Sequence, residues 1–548
     1  MAPHHLVDLW DFDPRDPMLG LTAAELSGPP MSRRAVLRLL AATGLLGLAA
    51  SLPPPLAAAG RGGHLKAGWN LDQFAILDPA FINVTEQMQA AANIFSGLVH
   101  IDAALTPQPE LAERWEVSAD GRQWTFQLRR GVRFHDGAPF SADDVLFTYQ
   151  RTNDPKVGSI HRPRLANIEA VTKLGAYEVQ FTLKSPSAAF LIATLSRFPA
   201  RAMTIVSRTA LEKMGPQQYK VTPVGTGPFR VKEHIVGQRL VLERFPDYFI
   251  EGKPKLDMVT IVPVPEAETA VAALRTGEVQ FLNNVQAQFL PLLEADPGVT
   301  VLQGPDPGFQ ALILNQKTVL AFRDRRVRLA IAKAIDRETL AKRGYFGRVQ
   351  PDTGPIPAAQ KLYWRPEKLT TSPQAYDPEA AKRLWQEAGV GSLKVKLLTS
   401  VVRGNLRGAQ VLKPLLEQVL PITLDIEQVD PSVYFKRQVA GDFETLLGGS
   451  GADLDPNDSI RDFFPTGAKF NSFGYSNPEV DALVEQQFRE LDVQKRIALV
   501  HRAEDLIMAD APMAFTHHLI EYLAMRKEVK GFVFAPTPAW DLSEVWLA

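Results

Sequence analysis

A chain of 548 residues, 45% hydrophobic and 22% charged, is long enough for two or three domains with cores of their own. Its net charge of −1 excludes the basic balance expected of a nucleic-acid or anionic-surface binder. The absence of cysteine excludes disulfides, thiolate metal sites, a thiol nucleophile and a lipid anchor, which needs a Cys at its cleavage site.

Ser32-Arg33-Arg34-Ala35 precedes an apolar run from Leu39 to Leu52, and Ala57-Ala58-Ala59 reads as a small-residue cleavage site before Gly60. Basic, apolar and small-residue segments in this order predict a removed secretory signal peptide over 1–59, and the twin arginines predict Tat export. The rival is a membrane anchor, but about fourteen apolar residues fall short of the roughly twenty a spanning helix needs. The leader is long, and either Met1 or Met31 serves as the start.

In the mature chain, Leu65 to Trp69 predicts a first strand and Leu77-Asp78-Pro79 a turn, with a helix through Met88, Ala91, Ala92 and Phe95. Next comes Leu111 to Arg151, LAERWEVSADGRQWTFQLRRGVRFHDGAPFSADDVLFTYQR. Trp115–Val117 is extended, Asp120-Gly121 turns, and Trp124, Phe126 and Leu128 alternate with polar residues as a half-buried strand does. Ser141 with Asp144 three residues on predicts a capped helix.

These residues, in order and spacing, resemble the periplasmic solute-binding proteins of ABC importers, oligopeptide/dipeptide-binding class (family 5 extracellular solute-binding proteins). The resemblance extends further along the chain. Leu77-Asp78-Pro79 is similar to the family's L-D-P, and Gly225-Thr226-Gly227-Pro228-Phe229 to its G-T-G-P-[YF]. Asn315 with Phe322 to Arg328 resembles N-x-x-x-P-F-x-D-x-R-V-R, and Asp336-Arg337-Glu338 repeats D-R-E.

Read for themselves, Tyr177–Leu183 predicts a strand, Phe190–Leu195 a helical piece, and Val224–Phe229 a tight turn into a strand. A phosphate loop is disfavoured there, since no Lys-Ser/Thr follows and Pro228 interrupts the junction. Arg239–Arg244 and Asp257–Val264 are β-rich, Glu268–Arg275 is helical, and Phe309–Asn315 is a strand. A helix follows, with Ala330, Ile331, Ala334 and Ile335 on its apolar stripe. Asp377-Pro378-Glu379 opens a helix that Gly389 closes. Val395–Leu398, Leu406–Val419 and Ile422–Ile426 make a strand-helix-strand unit and so a parallel pair. Asn477-Pro478 opens another helix, Gln494–Met508 is amphipathic, and Phe515–Leu523 returns as a strand.

The candidate chemistry is sparse. Asp143-Asp144 reads as helix capping. His135 stands alone, and His517-His518 on one strand point to opposite faces. Gly448-Gly449-Ser450-Gly451-Ala452 fails the G-x-S-x-G pattern of a hydrolase elbow at Ala452. Trp69 and Phe309 read as core. The resemblance offers more. Gly441-Asp442-Phe443-Glu444 and the following G-G-S-G-A-D-L-D-P are similar to the family segment whose backbone pairs with a bound peptide and whose Asp receives its α-amino group. That implies ligand contacts from Gly449, Ser450, Gly451 and Asp453. Counted from Phe443 the Asp is Asp453, while counted back from Pro456 the position is Ala452; Ser450 stands where peptide binders often carry Trp. The opposite wall implied by spacing is Asn83, Val84 and Thr85, and Arg437 is a candidate for a ligand carboxylate.

The expectation is an α/β, two-lobed periplasmic-binding-protein fold with a hinge and an additional subdomain. By resemblance lobe I takes 60–93, 218–312 and 515–548, the extra subdomain 94–217, and lobe II 313–514. The implied function is capture of a peptide or peptide-like solute by lobe closure, without catalysis, cofactor or metal. The implied partners are ABC permease subunits and cytoplasmic ATPases, with the protein monomeric, periplasmic and free of a lipid anchor. The alternative is a secreted hydrolase of peptides or glycans.

Overall fold

The computed structural model describes residues 62–548 except 72–74, 83, 198–201, 402–403, 452–453 and 538. The signal segment, Asn83, Ala452 and Asp453 therefore lie outside the described residues. None of the described helices is long and apolar enough to cross a membrane.

The Leu111–Arg151 stretch folds as its pattern predicts. Strands Ala112–Val117 and Gln123–Leu128 pair antiparallel, with Trp115 opposite Phe126 and Val117 opposite Trp124. Strands Glu178–Leu183 and Ile168–Gly175 extend them to a four-stranded sheet. One face buries Trp124, Phe126, Phe181 and Leu183 against Phe190 and Val145. Helix Ala142–Asn153 opens on a full capping box: Ser141 Oγ accepts from Asp143 N–H, and Asp144 Oδ2 accepts from Ser141 N–H at 3.0 Å. Phe190–Leu195 is reduced to one wide helical turn, Leu191–Leu195.

An eleven-stranded sheet runs through the remainder of the described chain, in the order 422–428, 393–399, 445–449, 299–314, 513–526, 281–282, 64–69, 258–263, 239–244 and 229–235, with 349–351 added to 513–526. The strand-helix-strand unit is confirmed: Leu393–Thr399 and Ile422–Gln428 pair parallel across helix Asn405–Glu417.

The strands expected at Phe309–Asn315 and Phe515–Leu523 are parts of two longer ones, Val299–Leu314 and Met513–Arg526, which pair antiparallel along most of their length. The join lies at Gly304-Pro305-Asp306-Pro307-Gly308, whose two prolines remove ladder donors. The ladder absorbs it with a bulge, the register shifting between Pro305 and Phe309.

These two strands join separate cores. On one side Leu65, Trp69, Phe95, Phe229, Ile261 and Trp540 pack together, with Val271, Leu274, Leu293 and Tyr522 on the other sheet face. On the far side Leu312, Ile331, Leu397 and Leu412 fill one face, and Phe309, Phe463, Phe464 and Phe515 the other. Trp69 and Phe309 are core residues, 1% and 0% exposed. Burial on both faces explains why Ala311-Leu312-Ile313-Leu314 is uninterrupted apolar sequence.

Candidate functional site

A cavity of about 870 Å³ lies where the two halves of the large sheet meet. Asn70, Thr85, Glu86 and residues 284–288 form one wall, residues 344–346, Arg348 and Val349 with Val401, Gly404 and Arg407 the other, and Asp306 with residues 519–522 the hinge side. It has the size and position of a small-molecule site between domains.

Its charged lining residues are Glu86, Asp306 and Glu521 with Arg348 and Arg407. Glu86 is half-buried in the first turn of helix Thr85–Ala91, and burial raises its carboxyl above the usual range. Arg407 faces it from the other wall, its guanidinium 4.0 Å from the Phe346 ring centroid and its Nε donating to Arg343 O. Arg348 is held by Glu294 at 2.8 Å and lies over Tyr522. A carboxylate on one wall and a guanidinium on the other suit a solute carrying both charges.

Of the residues singled out in the sequence, Thr85 lines this cavity and Val84 is exposed beside it. Gly449, Ser450 and Gly451 lie along the bulged strand instead. Gly449 pairs with Gln310, and a Cβ there would stand 1.8 Å from Phe309 O, so only glycine fits. Ser450 N–H donates to Phe309 O at 3.0 Å, and its Oγ accepts from Phe309 N–H at 3.2 Å. That hydroxyl closes the strand edge, which is not the setting of a nucleophile. Arg437 is held by Glu427 at 2.8 Å and Asp442 at 3.1 Å, away from the cavity lining.

The other polar candidates are structural. Asp143 pairs with Lys173 at 2.7 Å, outside the capping box that Asp144 completes. His135 accepts from Gly225 N–H at Nδ1 and so donates from Nε2 to Gly227 O at 3.0 Å. His517 packs against Tyr345 with the rings tilted, while His518 meets Gly354 O and Asp352. Sequence reasoning missed Glu86, Tyr345, Phe346, Arg348, Arg407 and Tyr522. They belong to no local motif, and the fold gathers them from distant segments.

The family model for bacterial extracellular solute-binding proteins, family 5, matches residues 106–472. The chain belongs to this family. The solute-binding protein is 30% identical over 517 residues to the glutathione-binding protein GsiB of Shigella flexneri, covering 91% of this chain and 97% of the relative. The GsiB protein of Escherichia coli K12 is 29% identical with the same coverage. Among solved structures it is similar to DppA of Helicobacter pylori in complex with peptide STSA, at 27% identity and TM-score 0.74, covering 89% and 98% of the two chains. The binding protein AgaA of A. tumefaciens R10 in complex with agropinic acid matches at 25% identity and TM-score 0.73, over 89% and 99%. The two-lobed periplasmic-binding-protein architecture is thereby established, and the function is solute binding for ABC import. The hydrolase alternative finds no support in these relatives.

Proposed function

We propose that this protein captures a short peptide or a glutathione-like solute between its lobes and presents it to an ABC permease served by cytoplasmic ATPases. The observation that carries this reading is the 870 Å³ cavity with Glu86 on one wall and Arg407 on the other. A peptide has an ammonium and a carboxylate to meet them. The GsiB and DppA relatives, named for glutathione or solved with a peptide, support the same solute class. The lobes are residues 60–93, 218–312 and 515–548 against 313–514, with 94–217 as the extra subdomain. Solute binding then favours the closed arrangement to the extent that both lobes contact it. Asp453 and the backbone of Gly449 to Gly451 are proposed to meet the solute from lobe II, and Asn83, Val84 and Thr85 from lobe I. Arg437, already paired, is a weaker candidate for its carboxylate. The mature protein is proposed to be a periplasmic monomer, exported by the Tat route and without a lipid anchor.

Native mass spectrometry of protein purified gently from the host periplasm tests this. The expected result is a monomer starting at Gly60 with a stoichiometric peptide or thiol-peptide that leaves on denaturation. A stoichiometric sugar or other non-peptide solute would overturn the peptide class. Fragments that change with incubation would overturn the receptor reading.

A further inference from the structure

Behind the lobe II wall of the cavity lies a group of buried polar side chains. Gln310 and His517 are paired directly across the two long strands, so their side chains share a sheet face. The Tyr345 ring packs against His517 with centroids 4.2 Å apart and planes tilted by 50°. Leu312 and Leu397 pack with Tyr345 in one core, which places Gln310 and Thr399, each two residues away, on that same face. Asn405 opens the adjoining helix and donates from Nδ2 to Leu447 O at 3.1 Å. All five are buried, from 0% exposed for Thr399 to 5% for Tyr345.

Six of their hydrogen-bonding atoms have no partner among the described residues: Gln310 Oε1, Tyr345 OH, Thr399 Oγ1, Asn405 Oδ1 and both ring nitrogens of His517. Buried polar atoms are otherwise almost always paired, so a group of them in one place calls for an occupant. The site lies at the carboxyl end of strand Leu393–Thr399, where ligands of open α/β sheets bind. Of the five, Tyr345 also lines the cavity, together with Val401 and Gly404 beside the cluster.

We infer that this cluster is a specificity pocket of lobe II that receives a neutral hydrogen-bonding group of the solute, a primary amide being the best match. The inference rests on the peptide reading above. None of the five side chains carries a charge, since burial holds His517 neutral, with its pKa lowered to about 3. An ionised carboxylate or ammonium would therefore find no counter-charge here. An amide offers two N–H donors to Gln310 and Asn405 and an acceptor to the hydroxyls or the imidazole.

Calorimetry with Ala-Gln-Ala, Ala-Glu-Ala and Ala-Leu-Ala, on wild type, Gln310→Met and His517→Phe, tests this. Wild type should prefer the Gln peptide over the other two by about tenfold or more. Both variants should lose that preference while holding Ala-Leu-Ala affinity within about threefold, and their Tm should be unchanged or raised, because partnerless buried polar atoms are removed. Equal affinity of wild type for the three peptides would overturn the pocket alone. So would variants that weaken all three alike with a lowered Tm, which marks a purely structural role. No binding of any of the three would overturn the peptide reading, and the pocket with it.

Discussion

Both ring nitrogens of His135 are committed to backbone, and burial lowers its pKa to about 4. The unfolded chain takes up a proton near pH 6.5, so the stability this group contributes is present above that pH and lost as pH falls toward 4. Asp458 behaves oppositely. Burial raises its pKa to about 7, against the pull of Arg164, so it stays protonated in the fold. Its contribution is full below about pH 4 and is lost as pH rises through about 7. Asp458→Asn should remove that loss, and urea unfolding at pH 5 and 7.5 should show a smaller decline than in wild type. An equal decline would refute the assignment. For solute binding, Asp453→Ala should weaken an amine-bearing peptide by about 2–5 kcal/mol if its ammonium is buried there. Glu86→Gln, at a half-buried carboxylate, should cost about 1–3 kcal/mol. Calorimetry against the N-acetylated peptide is the control, since neither substitution should weaken that form further. The Ser141–Asp144 box was legible because its members are three residues apart; the partners of His135 lie some ninety residues on and were not.

Among elements, the glycine-rich segment Val224–Phe229 leads into a strand at Phe229 as expected, through a run of bends whose reason is tertiary. Gly227 N–H donates to Ile94 O at 2.9 Å, Phe229 N–H to Asn93 O at 3.0 Å, and His135 N–H to Gly225 O at 2.9 Å. A Cβ on Gly225 would stand 2.1 Å from Ile94 O, and one on Gly227 2.5 Å from Ile94 C. This run is a junction where three segments meet backbone to backbone. Gly227→Ala should destabilise the fold by about 1–3 kcal/mol through forced backbone shifts, read as a lower Tm with far-ultraviolet dichroism retained at 20–25 °C. An unchanged Tm would show that the junction relaxes freely. The bulged strand Val299–Leu314 marks the limit of local reading. The sequence pattern predicts a strand only from Phe309, and pairing with Met513–Arg526 carries the ladder back across two prolines to Val299.

At the scale of the whole molecule, the halves of the large sheet touch beyond the two long strands, where Arg348 reaches Glu294 at 2.8 Å. The four-stranded region touches the far half as well, Ala188 N–H donating to Phe488 O at 2.9 Å. The Arg348–Glu294 pair is partly exposed and contributes at most about 1 kcal/mol. Such contacts can yield to a solute that both walls hold. Saturating solute should therefore lower the radius of gyration in small-angle scattering relative to solute-free protein. An unchanged profile at calorimetric saturation would refute hinge closure.

Local chemistry, by itself, determined the hairpin and capped helix of 111–151, the parallel unit at 393–428 and the family, but not helix Arg208–Val221, helix Pro431–Ala440 or the length of the two long strands. Alternation, caps and turn residues act over a few positions, and the family signature is a contiguous run. The cavity was decided only by tertiary structure. Its walls come from Asn70, Thr85 and Glu86, from 284–288, from 344–346 with Arg348 and Val349, from Val401, Gly404 and Arg407, and from Asp306 with 519–522. No spacing rule relates residues that the fold brings together from opposite ends of the chain. Whether Ser450 was a nucleophile or a strand edge, and whether His517 met a metal or a tyrosine ring, depended on what packed against them.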